Sequence, residues 1–147
     1  MSIQRILAAV RSLDGVLVLS PTDGDGSPEL AWGDHFVYYA PDGTVPTNVQ
    51  PYATIVTKNY PDDTASDLDR PGRWRLNIHV GRATSARLLG DGVPAPADAT
   101  DVLLPHPVYG RLGWIAVVDP GERTLAGVLD LLADAHERAK VRAARRG

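Results

Sequence analysis

Arg75, Asn77 and His79 are spaced by two within an unbroken alternation, Arg73-Trp74-Arg75-Leu76-Asn77-Ile78-His79-Val80. Residues two apart in a strand share a face, so this spacing sets a guanidinium, a carboxamide and an imidazole in a row, each within about 7 Å of the next. The guanidinium is a planar cationic fork that matches a carboxylate or phosphate. The carboxamide donates and accepts, and the imidazole titrates near neutrality. The row suits an anionic or hydrogen-bonding ligand. It also suits cofactor-free chemistry, with His79 as acid or base and Arg75 steadying developing negative charge. The plainer reading is a sheet face whose polar residues meet water. Lys58 closes a neighbouring apolar run, Ala53-Thr54-Ile55-Val56-Thr57-Lys58, and can join the same face or stand as a solvated strand end. His106 is the second titratable candidate, in His106-Pro107-Val108-Tyr109. Proline holds the residue before it extended. An acid/base role for His106 therefore stands beside a structural one, in which it caps a helix or bonds a backbone carbonyl. Tyr109 and Trp114 flank it in sequence and supply aromatic surface that packs in a core or walls a pocket.

Other chemistries find little support. The chain has no cysteine, which removes disulfides, thiolate nucleophiles and thiolate metal sites. A Gly-x-Ser-x-Gly elbow, a phosphate loop and a dinucleotide fingerprint are all missing. His35, His79, His106 and His136 are scattered, with no His-x-x-x-His pair. Asp23 and Asp25 precede Gly26 in a turn-rich loop, but the distal bidentate glutamate of a calcium loop is lacking. We therefore assign no metal and no cofactor. A net charge of −3 and a pI near 5.7 argue against nucleic acid as a partner. The clustered Arg138, Lys140, Arg142, Arg145 and Arg146 read first as the basic last turns of a helix, and DNA binding through them is the weaker alternative.

These candidates need elements to hold them. The 147 residues are 44% hydrophobic and 22% charged, as expected of one globular domain spanning 1–147. No apolar run is long enough to span a membrane. The first residues lack the apolar segment of a signal peptide, so the expected location is the cytoplasm. Ile3, Ile6, Leu7, Val10 and Leu13 recur at helical spacing after a capping Ser2, and Asp14-Gly15 ends that helix. Val16–Leu19, Glu29–Trp32, His35–Ala40, Ala53–Lys58, Arg73–Val80 and Gly113–Asp119 read as β segments. Arg82–Leu89 reads as a short helix and Thr124–Arg146 as a long one. Asn59–Gly72 is a long polar loop, in which Asp69-Arg70 is expected to form a local ion pair. Short turns between successive strands favour antiparallel pairing. The expected fold is α+β: a single twisted antiparallel sheet with the N- and C-terminal helices on one face. Arg75, Asn77 and His79 would then lie on the other.

His106-Pro107-Val108-Tyr109-Gly110, followed by Gly113-Trp114-Ile115-Ala116-Val117-Val118 and a terminal helix carrying Leu131 to His136, resembles the C-terminal half of MmcQ/YjbR-like proteins. The whole chain more closely resembles an uncharacterised family of actinobacterial proteins. That likeness rests on Trp32-Gly33-Asp34, Phe36 to Tyr39, Pro51 to Lys58, Leu68 to Gly72, Arg75 to Ile78 and the His-Pro-Val-Tyr and Gly-Trp pair. It implies a CyaY-like arrangement and no established activity. Where glycine is expected after Asn77-Ile78, this chain has His79.

Two functional readings follow. The first is a small ligand-binding or protein-interaction domain, with an anionic or polar ligand near Lys58, Arg75, Asn77, Tyr109 and Trp114. The second is a cofactor-free enzyme of bacterial specialised metabolism, using His79 or His106.

Overall fold

The structure, a computed structural model, describes residues 2–146. Helix α1 spans Ile3–Arg11 and begins where the Ser2 hydroxyl accepts from the Arg5 amide. It stops at Ser12, and Gly15 turns the chain with a φ of 76°. A Cβ at Gly15 would stand 2.7 Å from the Tyr39 ring. Glycine is therefore required there both by backbone sign and by space.

Six strands follow: β1 (Val16–Leu19), β2 (His35–Tyr39), β3 (Ala53–Val56), β4 (Arg75–His79), β5 (Leu104–Pro105) and β6 (Trp114–Val118). They form one antiparallel sheet in the order β1-β2-β3-β4-β6-β5. Helix α2 (Arg82–Leu89) lies between β4 and β5, and α3 (Leu125–Arg146) closes the chain. This is the α+β architecture read from the sequence.

The register decides which side chains share a face. Val37, Ala53, Ile78 and Ile115 are paired in one row across β2, β3, β4 and β6, and Ile55, Leu76 and Val117 in the next. Both rows pack against Ile6, Leu7 and Val10 of α1 and Val128, Leu132 and Ala135 of α3 in one core. Burying each larger aliphatic side chain contributes roughly 1.5–3 kcal/mol, so this face anchors both helices. Buried His136 of α3 pins the seam. Its Nε2–H donates to the Asp14 carbonyl at 2.7 Å, which leaves Nδ1 to accept from the Tyr52 hydroxyl at 2.8 Å.

The opposite face carries Phe36, Thr54, Val56, Arg75, Asn77 and Trp114 and has no helix of the core on it. The 57–72 loop folds over one part of it. Leu68 of that loop buries against Val56 and Val118, with Tyr60 alongside. Asp34, fully buried, ties the loop down. Its carboxylate accepts from the Thr57 amide at 2.9 Å, the Thr57 hydroxyl at 2.7 Å, Lys58 at 3.0 Å and the Tyr60 hydroxyl.

Several local expectations are corrected. Glu29–Ala31 is a 3-10 turn, not a strand: Glu, Leu and Ala are helix formers, and only Trp32 in that segment favours β. Strand β3 ends at Val56 because Asp34 captures the Thr57 amide. Arg70 pairs with Asp67 at 2.9 Å, while Asp69 accepts from the Asn59 amide. Asp101 caps the start of α3, accepting from the amides of Gly121, Arg123 and Thr124.

Candidate functional site

A cavity of about 360 Å³ opens on the helix-free sheet face. Its floor is the polar row of β4 and its neighbours on β3, with Thr54, Arg75 and Asn77 facing in. Phe36 and Tyr38 of β2 form one wall. Tyr60, Asp62 and Asp63 of the 57–72 loop form another, and His106, Val108 and Tyr109 close the far side with Trp114 of β6.

Arg75 is the centre of the floor. It is only 1% exposed, so its charge has to be met by protein. Nη1 and Nη2 both donate to the Asp63 carboxylate in a two-pronged pair, with Nη1 to Oδ1 at 2.9 Å. Nη1 also donates to the Ser66 hydroxyl at 3.0 Å, and Nε to the Asn77 Oδ1 at 2.7 Å. Asn77 passes the order on, its amide donating to the Thr54 hydroxyl at 2.9 Å. Such a network fixes side-chain positions because each member has one satisfied geometry. Burial alone would raise the Asp63 carboxyl's pKa. The hydrogen bonds and charge of Arg75 outweigh it and hold the group below its ordinary value. The guanidinium is thus already neutralised, which removes the main attraction for an anionic ligand.

His106 borders this network. Its Nδ1 accepts from the amides of both Val108 and Tyr109, each at 3.0 Å. Pro107, between His106 and Val108, has no amide hydrogen to offer. His106 thus takes a structural role in a tight turn, but it caps no helix and meets two backbone amides rather than a carbonyl. Those two contacts also fix the tautomer. A neutral imidazole has one lone pair and one N–H, so with Nδ1 accepting twice, Nε2 carries the proton. Nε2 lies 3.2 Å from Arg75 Nη2, itself a donor, and 3.8 Å from Asp63 Oδ2, too far for a hydrogen bond. His106 is 6% exposed, so its Nε2–H is a buried donor without an acceptor on the cavity wall. Burial and then the Arg75 charge push its pKa down to about 4. At neutral pH it is uncharged, able to donate at Nε2 and unable to accept a proton there.

The structure gathers Arg75, Asn77, His106, Tyr109 and Trp114 around this cavity, and leaves Lys58 and His79 outside it. Lys58 turns to the Trp32 carbonyl at 2.8 Å and to Asp34. Its charge is consumed in anchoring the loop. His79 shares the face but sits beside Trp114, ring centroids 5.4 Å apart, and its Nε2–H donates to the Leu112 carbonyl at 3.2 Å. Burial and the nearby Arg138 charge lower its pKa. Asp63, Ser66, Thr54 and the wall residues Phe36, Tyr38 and Tyr60 are not singled out by sequence patterning. A buried strand arginine does demand a carboxylate, and the 57–72 loop offers Asp62, Asp63, Asp67 and Asp69. Nothing in their spacing says which one folds back. Among the described residues no group of three or more His, Asp or Glu side chains is placed to hold a metal ion.

Fold and site together define a small α+β protein with a walled, polar-floored cavity on the face of its sheet that the helices leave free. The chain belongs to a family of unknown function, DUF6194, whose sequence profile matches residues 1–147. No curated protein and no solved structure matches it.

Proposed function

We propose that this protein binds a small polar molecule in the cavity between β2, β4 and the 106–109 turn. The observation that carries the reading is the His106 Nε2–H, a buried donor at the cavity edge beside Arg75 Nη2 with no protein acceptor within bonding distance. An unpaired buried donor costs about 1–3 kcal/mol, and a ligand oxygen accepting from it recovers that cost. The second support is preorganisation. The Asp63–Arg75–Asn77–Thr54 chain is complete without a ligand, so binding need not order it. A volume of about 360 Å³ lies in the range of small-molecule sites. The enzymatic reading has narrower support, since His79 does not line the cavity and His106, uncharged at neutral pH, offers it a hydrogen-bond donor rather than a proton. A distant kinship with MmcQ/YjbR-like proteins and a place in the bacterial cytoplasm are proposals too, resting on the sequence stretches and composition given above.

Benzamide, a carbonyl-bearing probe of suitable size, tests the reading by ligand-observed NMR. Binding is expected to fall about tenfold in His106→Phe, the worth of one hydrogen bond of about 1.4 kcal/mol. It should disappear in Val108→Trp, which fills the rim from a partly exposed position. Binding that survives both substitutions places the site elsewhere and refutes the proposal.

A further inference from the structure

The cavity is aromatic as well as polar. The chain has three Trp, five Tyr and one Phe, nine in all, and five of them line this one space: Phe36, Tyr38, Tyr60, Tyr109 and Trp114. The rings of His106 and Tyr109 lie 5.0 Å apart and those of His106 and Trp114 6.4 Å apart, so the 106–109 turn and β6 make a continuous aromatic wall. The ionic balance of the lining is acidic. Arg75 is its one cation and is claimed by Asp63. Asp62, exposed at the rim, has no ion-pair partner among the described residues. His106 is uncharged, and Lys58, the nearest lysine in sequence, is bound to Asp34 outside the cavity. An anion entering this space would meet one free carboxylate and no free cation. A cation would meet one free carboxylate and the negative faces of aromatic rings, an arrangement that attracts ammonium groups.

We infer that the cavity selects organic cations: its ligand carries an ammonium group held between Asp62 and the aromatic wall. This rests on the binding reading above and fixes the ligand's charge. It also reverses what the Arg75-Asn77-His79 alternation suggests by itself, because the guanidinium that would draw an anion is spent within the protein.

Three probes of matched shape separate the possibilities: phenethylammonium, 2-phenylethanol and 3-phenylpropionate. Each is titrated into the full chain at pH 7 and followed at the Trp114 indole N–H and the Asn77 carboxamide by NMR. Phenethylammonium is expected to bind about tenfold more tightly than 3-phenylpropionate, with the alcohol between them. Asp62→Asn, an exposed substitution that leaves the fold intact, is expected to remove most of that gap. Equal binding of the three probes, tighter binding of the carboxylate, or a gap unchanged in Asp62→Asn overturns the charge selection while leaving a binding cavity in place. If none of the probes, benzamide included, moves the cavity signals, both readings fall.

Discussion

Replacing Asp63 with alanine removes the carboxylate from a guanidinium that is 1% exposed. Two charge-assisted hydrogen bonds go with it, and the Arg75 charge is left buried without a counter-ion. Breaking a buried ion pair from one side costs about 3–5 kcal/mol. The Asp63 side chain is 12% exposed, so some water can reach the vacated position, and we expect the lower end, about 3 kcal/mol. For a chain of this length that corresponds to a melting temperature lowered by roughly 6–12 °C. Urea unfolding at pH 7 measures the loss, and an unchanged slope shows that the denatured state is the same. The double variant Asp63→Ala/Arg75→Met removes the stranded charge. It should recover at least about 2 kcal/mol relative to Asp63→Ala alone, a coupling that double-mutant cycles isolate. If Asp63→Ala costs less than about 1 kcal/mol, Arg75 does not depend on Asp63, and the claim that its charge is spent inside the protein is wrong.

Three further outcomes follow from the same geometry. His106 has a folded pKa of about 4 against an unfolded value near 6.5, so the unfolded chain takes up the proton first. Its contribution is therefore complete above about pH 6.5 and is lost as pH falls towards 4, by no more than about 3 kcal/mol. His35 and His79 are shifted in the same direction, so the difference between wild type and His106→Gln in urea unfolding at pH 7.5 and 4.5 isolates the His106 share. Asp34→Ala strips the buried acceptor from Thr57, Lys58 and Tyr60. It should cost about 3 kcal/mol and speed amide exchange selectively across residues 57–63. Asp101→Ala removes the cap of α3 at a residue with φ of 54°. A loss of about 1–2 kcal/mol is expected in thermal unfolding, with Asp101→Asn recovering part of it.

Much of the sheet was legible, β4 from its period-two alternation and β1, β2 and β6 from short runs of apolar β-formers. In β4 the alternation correctly sends Trp74, Leu76, Ile78 and Val80 to the helix-bearing core and Arg75 and Asn77 to the other face. The terminal helices were legible from their apolar stripes. What alternation cannot say is what lies above the polar face. Arg75 and Asn77 are 1% and 2% exposed, not solvated, because a loop 12 residues upstream of Arg75 returns Asp63 to it. That return depends on Asp34, whose contacts span 23 to 26 residues, and no local pattern encodes such a separation. Lys58 shows the same blindness from the other side. Its position at the end of a strand suggested a free cation, yet the Trp32 carbonyl and Asp34 had already taken it. His106 was readable in part. The Pro107 that follows predicts a constrained imidazole, but the two amides that fix its tautomer come from the turn that only the folded chain forms.

The most direct test of the account is the nitrogen-15 NMR spectrum of the His106 imidazole at pH 7, recorded with and without benzamide. A proton on Nε2 and none on Nδ1 is expected, with the Nε2–H signal moving as benzamide is added and standing still in Val108→Trp. A proton on Nδ1, or an Nε2–H indifferent to benzamide in the wild-type protein, would contradict it.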